Sequence, residues 1–335
     1  MLTHAVVLAL PAILLGGRAA SAQGTAPGRV ETVAGPVDPA ALGPMLPHEH
    51  VLVDFIGADR VSPDRYDAGE VFSVMLPYLQ DLREAGIETL VECTPNYLGR
   101  DPALLRRLGE ASGIKLLTNT GLYKDPYLPQ WAHAASAEEL AAAWIREATE
   151  GIGPERIKPG FIKIAVNEGD LSEVQAKIVR AAALTSRATG LVIASHTTTG
   201  HAALQELDIL AAEGVPASHL IIVHMDAEPD QELHRQVAER GAWLEYDGIR
   251  EASAEAKAPL VLEALRRYPD QLLISQDAGW YNVGEPGGGS IAPLDWLPRA
   301  FIPLLKAAGA TPEQTEQLLV RNPARAFTIR EPISR

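Results

Sequence analysis

What most constrains this chain is an alternation. Short β-rich runs are separated, again and again, by longer segments whose apolar residues recur at helical spacing. The runs fall at 46–54, 89–94, 115–122, 161–166, 191–197, 220–226, 243–247 and 272–277, which makes eight. The segments between them carry helix-start signals: Ser136 with Glu139, Ser172 with Gln175, and Thr311 followed by Pro312 and Gln314. Eight βα units over roughly 250 residues predict an α/β fold, a (β/α)8 TIM barrel. An open doubly wound sheet is the rival, but it calls for a glycine fingerprint after an early strand. The Gly-rich run Gly284-Glu285-Pro286-Gly287-Gly288-Gly289 follows the last strand and lacks the Lys-Ser/Thr of a phosphate loop, so it reads as a mobile loop, either a plain turn or a cover over the substrate.

With 335 residues, 47% hydrophobic and 21% charged, the chain has material for one large core. Its net charge of −14 argues against a nucleic-acid partner held through phosphates and against a polybasic membrane contact, leaving a small molecule as the expected partner. The apolar run from Ala5 to Leu15, followed by Ala20-Ser21-Ala22, fits a signal peptide over 1–22, although Met1-Leu2-Thr3-His4 carries no Lys or Arg. That run is shorter than the ~20 residues of a membrane span. Residues 23–335 are then expected to form a single domain, exported to the periplasm or beyond as a soluble protein. Cys93 is the only cysteine, which excludes an intramolecular disulfide and a Cys-rich zinc site; it reads as a small core residue.

The chemistry concentrates at strand positions. His48 and His50 are two apart in the first run, so both side chains leave one face of the strand. Lys163, His196, His224 and Asp277 lie toward the C-terminal ends of four later runs. In a barrel those ends form one mouth, where imidazoles and a carboxylate can hold a divalent cation such as Zn2+. Singly, each has a plainer reading: a hydrogen-bonded core histidine, a surface lysine, a helix-capping aspartate. His133, His201, His219 and His234 have no matching partners and receive no role.

The segments Val30-Glu31-Thr32-Val33-Ala34-Gly35-Pro36, Leu46-Pro47-His48-Glu49-His50, Gly160-Phe161-Ile162-Lys163-Ile164, Ala194-Ser195-His196-Thr197, Ile222-Val223-His224 and Ser275-Gln276-Asp277 together resemble the phosphotriesterase family of the amidohydrolase superfamily. The resemblance runs from about Val30 to Phe327. It implies a distorted barrel with two divalent metals, Zn2+ first and Co2+, Mn2+ or Fe2+ as alternatives. His48, His50 and Asp277 would hold one metal, His196 and His224 the other, and Lys163, N6-carboxylated by CO2, would bridge them. It also implies a homodimer.

One position departs from the family pattern. An aspartate that often follows the sixth-strand histidine by three is Ala227 here, flanked by Asp226 and Glu228. Tyr123 resembles the tyrosine that leans over the metals in the family's lactonases. With Asp247, Arg250 and Trp280, and with Tyr127, Trp131 and Tyr281, it is expected to make a mouth that is part polar and part aromatic. The expected activity is hydrolysis of a lactone or carboxylic ester by a metal-bridging hydroxide oriented by Asp277, with phosphotriester cleavage as a side activity. The alternatives are a true phosphotriesterase, an amide hydrolase or deaminase on the same scaffold, and an exported binding protein. Lys163 speaks against a mononuclear deaminase, which has no use for a bridging carbamate.

Overall fold

A computed structural model describes residues 28–333; the expected signal segment, 1–22, lies outside the described residues. The chain opens with a hairpin of β1 (Val30–Thr32) and β2 (Gly35–Val37), then enters β3 (Met45–Val53) and α1 (Ala68–Glu84). There follow β4 (Thr89–Glu92), α2 (Pro102–Ser112), β5 (Lys115–Leu117), β6 (Asn119–Thr120), α3 (Gln130–Ala134) and α4 (Ala137–Glu150). Next come β7 (Phe161–Ala165), α5 (Glu173–Thr189), β8 (Ile193–His196), α6 (Gly200–Ala212), β9 (Leu220–Val223) and α7 (Gln231–Glu239). The last units are β10 (Trp243–Tyr246), α8 (Ala254–Arg267), β11 (Leu272–Ile274) and β12 (Gly279–Asn282), before α9 (Ile302–Ala307), α10 (Pro312–Glu316) and α11 (Asn322–Phe327).

All eight expected runs are strands, and they pair in parallel. Two are split. β5 and β6 are one path interrupted at Thr118, with β5 bonded to β4 and β6 to β7. β11 and β12 are likewise one path, and β12 returns to β3 in parallel. Across the gap between them Asp277 N donates to His48 O (3.2 Å) and His50 N donates to Ala278 O (2.9 Å), which carries the ladder around to β3 and closes the barrel. The helix signals are realised: Ser136 with Glu139, Ser172 with Gln175 and Thr311 with Gln314 all form reciprocal capping boxes.

Alternation sorts the apolar residues into two layers. Leu46, Leu90, Leu116, Ile162, Ile193, Ile222, Leu244 and Ile274 face the helices, while Met45, Val91, Cys93, Leu117, Phe161, Ala194, Ile221 and Leu273 fill the barrel interior with Phe327 of α11 beneath them. Cys93 is buried, as expected of a core residue. The first strand departs from strict alternation: Met45 and His48 both turn inward, three residues apart. The pairing of β3 with β4 shifts register between Leu46 and Glu49, and that irregularity re-aims the histidines at the mouth. Within the Gly-rich run only Gly288 is buried, so close to Tyr281 that a Cβ there would lie 2.4 Å from the ring; the other five residues are exposed.

Candidate metal centre at the barrel mouth

The six expected side chains converge. His48, His50, Lys163, His196, His224 and Asp277 line one cavity of about 60 Å3 above the interior core. Strand geometry explains Lys163, one step above Phe161 on the inner face of β7, and His196, which ends β8 two residues above Ala194. His224 and Asp277 follow the ends of β9 and β11 and sit at positive φ, 63° and 49°. That sparsely populated backbone re-aims both side chains, and its cost of about 1–3 kcal/mol each is of the kind stored at working sites.

Bonds behind the cavity hold the histidines in place. Asp247, fully buried, accepts from His48 Nδ1 at 2.8 Å and from His224 Nδ1 at 2.6 Å. Both rings therefore carry their hydrogen on Nδ1 and present a bare Nε2 to the cavity. His50 Nδ1 meets Thr94 Oγ1 at 2.8 Å, which leaves its Nε2 facing the cavity as well. Glu49, between the two histidines, bridges the split in the last strand: it accepts from Ser275 Oγ (2.7 Å), Gln276 N (3.2 Å) and Ala278 N (2.6 Å), fixing the segment that carries Asp277. Glu206 of α6 does the same around His196, taking the hydroxyls of Ser195 and Thr197.

The donor set fits cations. Asp277 Oδ1 lies 3.1 Å from His50 Nε2 and 3.8 Å from His48 Nε2, yet is buried without a hydrogen bond of good geometry. These three side chains can place one ligand atom each within 4.8 Å of the others. Nearby, His224 Nε2 and His196 Nδ1 are 2.8 Å apart and share a hydrogen where a cation could instead sit. Lys163 Nζ is buried with no acceptor, an expensive state for an ammonium that carboxylation of the amine would relieve. The electrostatics favour bare ligands: burial first, then the Lys163 charge, pushes the His48 imidazole down to about 3 despite Asp247. Burial and the neighbouring His224 and Lys124 lower His196 further. At Asp277 burial opposes ionisation, but His50 and His48 outweigh it and hold the carboxyl below its ordinary range.

Around the lip, Tyr123 places its hydroxyl 3.2 Å from His196 Nδ1. Trp280, also at positive φ (77°), lies with its ring 4.2 Å from His50 and stacks on the exposed Phe55, which meets Tyr127 edge-on. Arg250, 55% exposed at the side chain, donates to Asp277 O at 2.8 Å and reaches Oδ2 at 3.2 Å. Three expectations are corrected. Asp247 is not a wall of the mouth but a buried brace beneath it, because 243, 245 and 247 continue one inward face of β10. Tyr281 turns inward under Gly288, and Trp131 caps Tyr97 away from the cavity. The flanks of Ala227 are committed elsewhere: Asp226 is bonded by Lys257 and the amides of Asp247 and Gly248, and Glu228 by Gly200 N. Neither lines the cavity. Sequence reasoning missed Glu49, Thr94 and Lys124, whose Nζ lies 2.8 Å from His196 Nε2.

Comparison with known proteins identifies the family and the fold. The sequence model of the phosphotriesterase family matches residues 28–327. The phosphotriesterase homology protein of Escherichia coli is 28% identical over 290 residues, covering 85% of this chain and 98% of that protein. A phospho-furanose lactonase of Mycoplasmopsis agalactiae is 24% identical over 344 residues, covering 90% and 92%. Among solved structures, a mutant organophosphorus hydrolase from Deinococcus radiodurans superposes with a TM-score of 0.80 at 31% identity, covering 91% of this chain and 100% of that one.

Proposed function

The chain belongs to the phosphotriesterase family, whose members are hydrolases, and from that premise we propose that it is a two-metal hydrolase of lactones or carboxylic esters, with phosphotriester cleavage as a secondary activity. The observation that carries the reading is the convergence of two bare imidazole nitrogens, those of His48 and His224, a third ring nitrogen of His50, a buried carboxylate and an unpartnered lysine on one cavity. His48, His50 and Asp277 would hold one cation and His196 and His224 the other, with Lys163, once carboxylated, giving one oxygen to each. Bound there, divalent cations supply Lewis acidity to an ester oxygen and lower the pKa of a coordinated water from about 15.7 to about 7.

The chain's own residues do the rest. Asp247 keeps the two ring nitrogens bare, and Glu49 keeps Asp277 aimed at the cavity. The Asp277 carboxylate orients the attacking water and takes its proton, while Arg250 holds the opposite oxygen and main chain of that residue. Tyr123 stands where its hydroxyl can donate to the oxygen that gains charge. Phe55 and Trp280 line the outer part of the cavity and Tyr127 packs beside them, so the body of the ester lies among these three rings. That aromatic wall beside a polar one suits a ring with a single polar edge better than the three bulky arms of a triester. Relatives named phospho-furanose lactonase and organophosphorus hydrolase span both chemistries.

The test is metal-restored enzyme on a lactone series, aryl esters and an aryl phosphotriester, with metal counted on the same sample. Two equivalents of Zn2+ or Co2+ and a higher kcat/KM for lactones or esters are expected. A folded protein that never exceeds one equivalent overturns the two-metal centre. A tenfold preference for the triester, roughly 1.4 kcal/mol of transition-state binding, reverses the substrate class.

A further inference from the structure

Lys124 follows Tyr123 on the loop after β6 and turns its ammonium onto the outer edge of His196, where its two acceptors are His196 Nε2 at 2.8 Å and Val166 O at 3.2 Å. Among the described residues no carboxylate forms an ion pair with it; the acid whose field it feels, Glu168, is exposed and unbonded to it. The hydrogen-bond chain runs in one direction. Lys124 donates to His196 Nε2, His196 Nδ1–H donates to His224 Nε2, and His224 Nδ1–H donates to Asp247. This arrangement uses every ring nitrogen of His196. A cation on Nδ1 would transfer the ring hydrogen to Nε2, which would then face the ammonium donor to donor. A cation on Nε2 would take the lone pair that Lys124 uses. Either way, filling the His196–His224 position turns Lys124 out of its present bond and leaves it one carbonyl acceptor.

We propose that Lys124, released in this way, is the specificity-determining residue of the mouth, receiving an anionic substituent of the substrate, a carboxylate or a phosphate, on the Tyr123 side of the cavity. Arg250 is the other cation at the lip, but it is occupied by the main chain and side chain of Asp277. In a chain of net charge −14 a half-buried ammonium without an ion-pair partner among the described residues, beside the cavity residues Tyr123 and His196, is placed against the general field, and an anion is the group that completes its hydrogen bonding. The inference rests on the hydrolase reading above and narrows its substrate class to anionic lactones or esters.

Three γ-lactones of one ring size, carrying a hydroxymethyl, a carboxylate or a phosphate group, separate the cases. Wild-type enzyme is expected to favour at least one anionic lactone over the neutral one by tenfold or more in kcat/KM. Lys124→Gln should reduce that ratio at least tenfold, Lys124→Glu should reverse it, and Lys124→Arg should restore most of it. Which anionic lactone shows the preference tells carboxylate from phosphate. A wild-type ratio near one, or a ratio that Lys124→Gln leaves within twofold, overturns the proposal even if every lactone is cleaved. If no lactone is cleaved, the hydrolase reading fails by itself, and calorimetric binding of the three ring-opened hydroxy acids to metal-loaded protein still decides on Lys124: the anionic acids must bind at least tenfold tighter than the neutral one, and lose that margin in Lys124→Gln, or the proposal falls.

Discussion

Asp247 shows how much of a candidate metal site lies behind the side chains that would bind the cation. One carboxylate accepts a hydrogen from each of two imidazoles, so it sets both tautomers at once. Asp247→Asn keeps the shape but has only one acceptor oxygen; its amide nitrogen must donate to the other ring, which then carries its hydrogen on Nε2 and offers the cavity no lone pair. We expect Asp247→Asn to lose roughly 10- to 100-fold in metal affinity, read by competition with a chelator, with a folded circular dichroism spectrum. Unchanged affinity would show that the brace does not govern the ligands. The convergence of the candidate ligands was legible because spacing of two and strand-end position are visible in a sequence. Asp247 was visible too, as the next inward position after Trp243 and Glu245, but an acid just beyond a strand also reads as a mouth residue. Lys124 sits on a loop, where no period says which way a side chain turns.

At the scale of elements, the eight strands were legible and the seam was not. The sequence ends the last strand-like run at Asp277, whereas Gly279–Asn282 is a further strand that closes the barrel on β3. What permits it is Gly279, at φ 93° and paired with His50 so tightly that a Cβ would lie 1.9 Å from His50 O. No hydrophobic pattern encodes an approach of that kind; only the absence of a side chain does. Gly279→Ala must strain its own backbone and push β12 off β3, at a cost of about 2–5 kcal/mol. Urea unfolding should show it, accompanied by weaker metal retention because His50 and Asp277 flank the same seam. A loss under about 0.5 kcal/mol would mean that the seam yields freely. The opening hairpin escaped notice for a simpler reason: three-residue strands are too short to show a period.

For the whole molecule, barrels of this kind divide the work between their two ends, chemistry at the C-terminal mouth, where the candidate site lies, and stability at the opposite face. His219 belongs to the second end. It precedes β9, meets Ser186 Oγ at 2.9 Å, and lies near Arg330, whose Nη2 bonds Ser218 O. Burial, reinforced by the Arg330 charge, lowers its pKa from 6.5 to about 4. The unfolded chain therefore takes up a proton near pH 6.5 and the folded chain not until about pH 4. Stability from this site is complete above pH 6.5, where both states hold a neutral ring, and drains away as pH falls to 4, by about 3 kcal/mol. His219→Gln keeps a hydrogen-bonding partner for Ser186 and cannot take up that proton. Its unfolding free energy, measured in urea from pH 7.5 to 4.5, should fall less steeply than that of the wild type. Its kcat/KM at pH 7.5 should match the wild type, because His219 touches nothing at the mouth. Parallel stability curves for the two proteins would remove His219 as the acid-sensitive site and place acid sensitivity at the mouth, where the buried imidazoles of His48 and His196 would also have to charge.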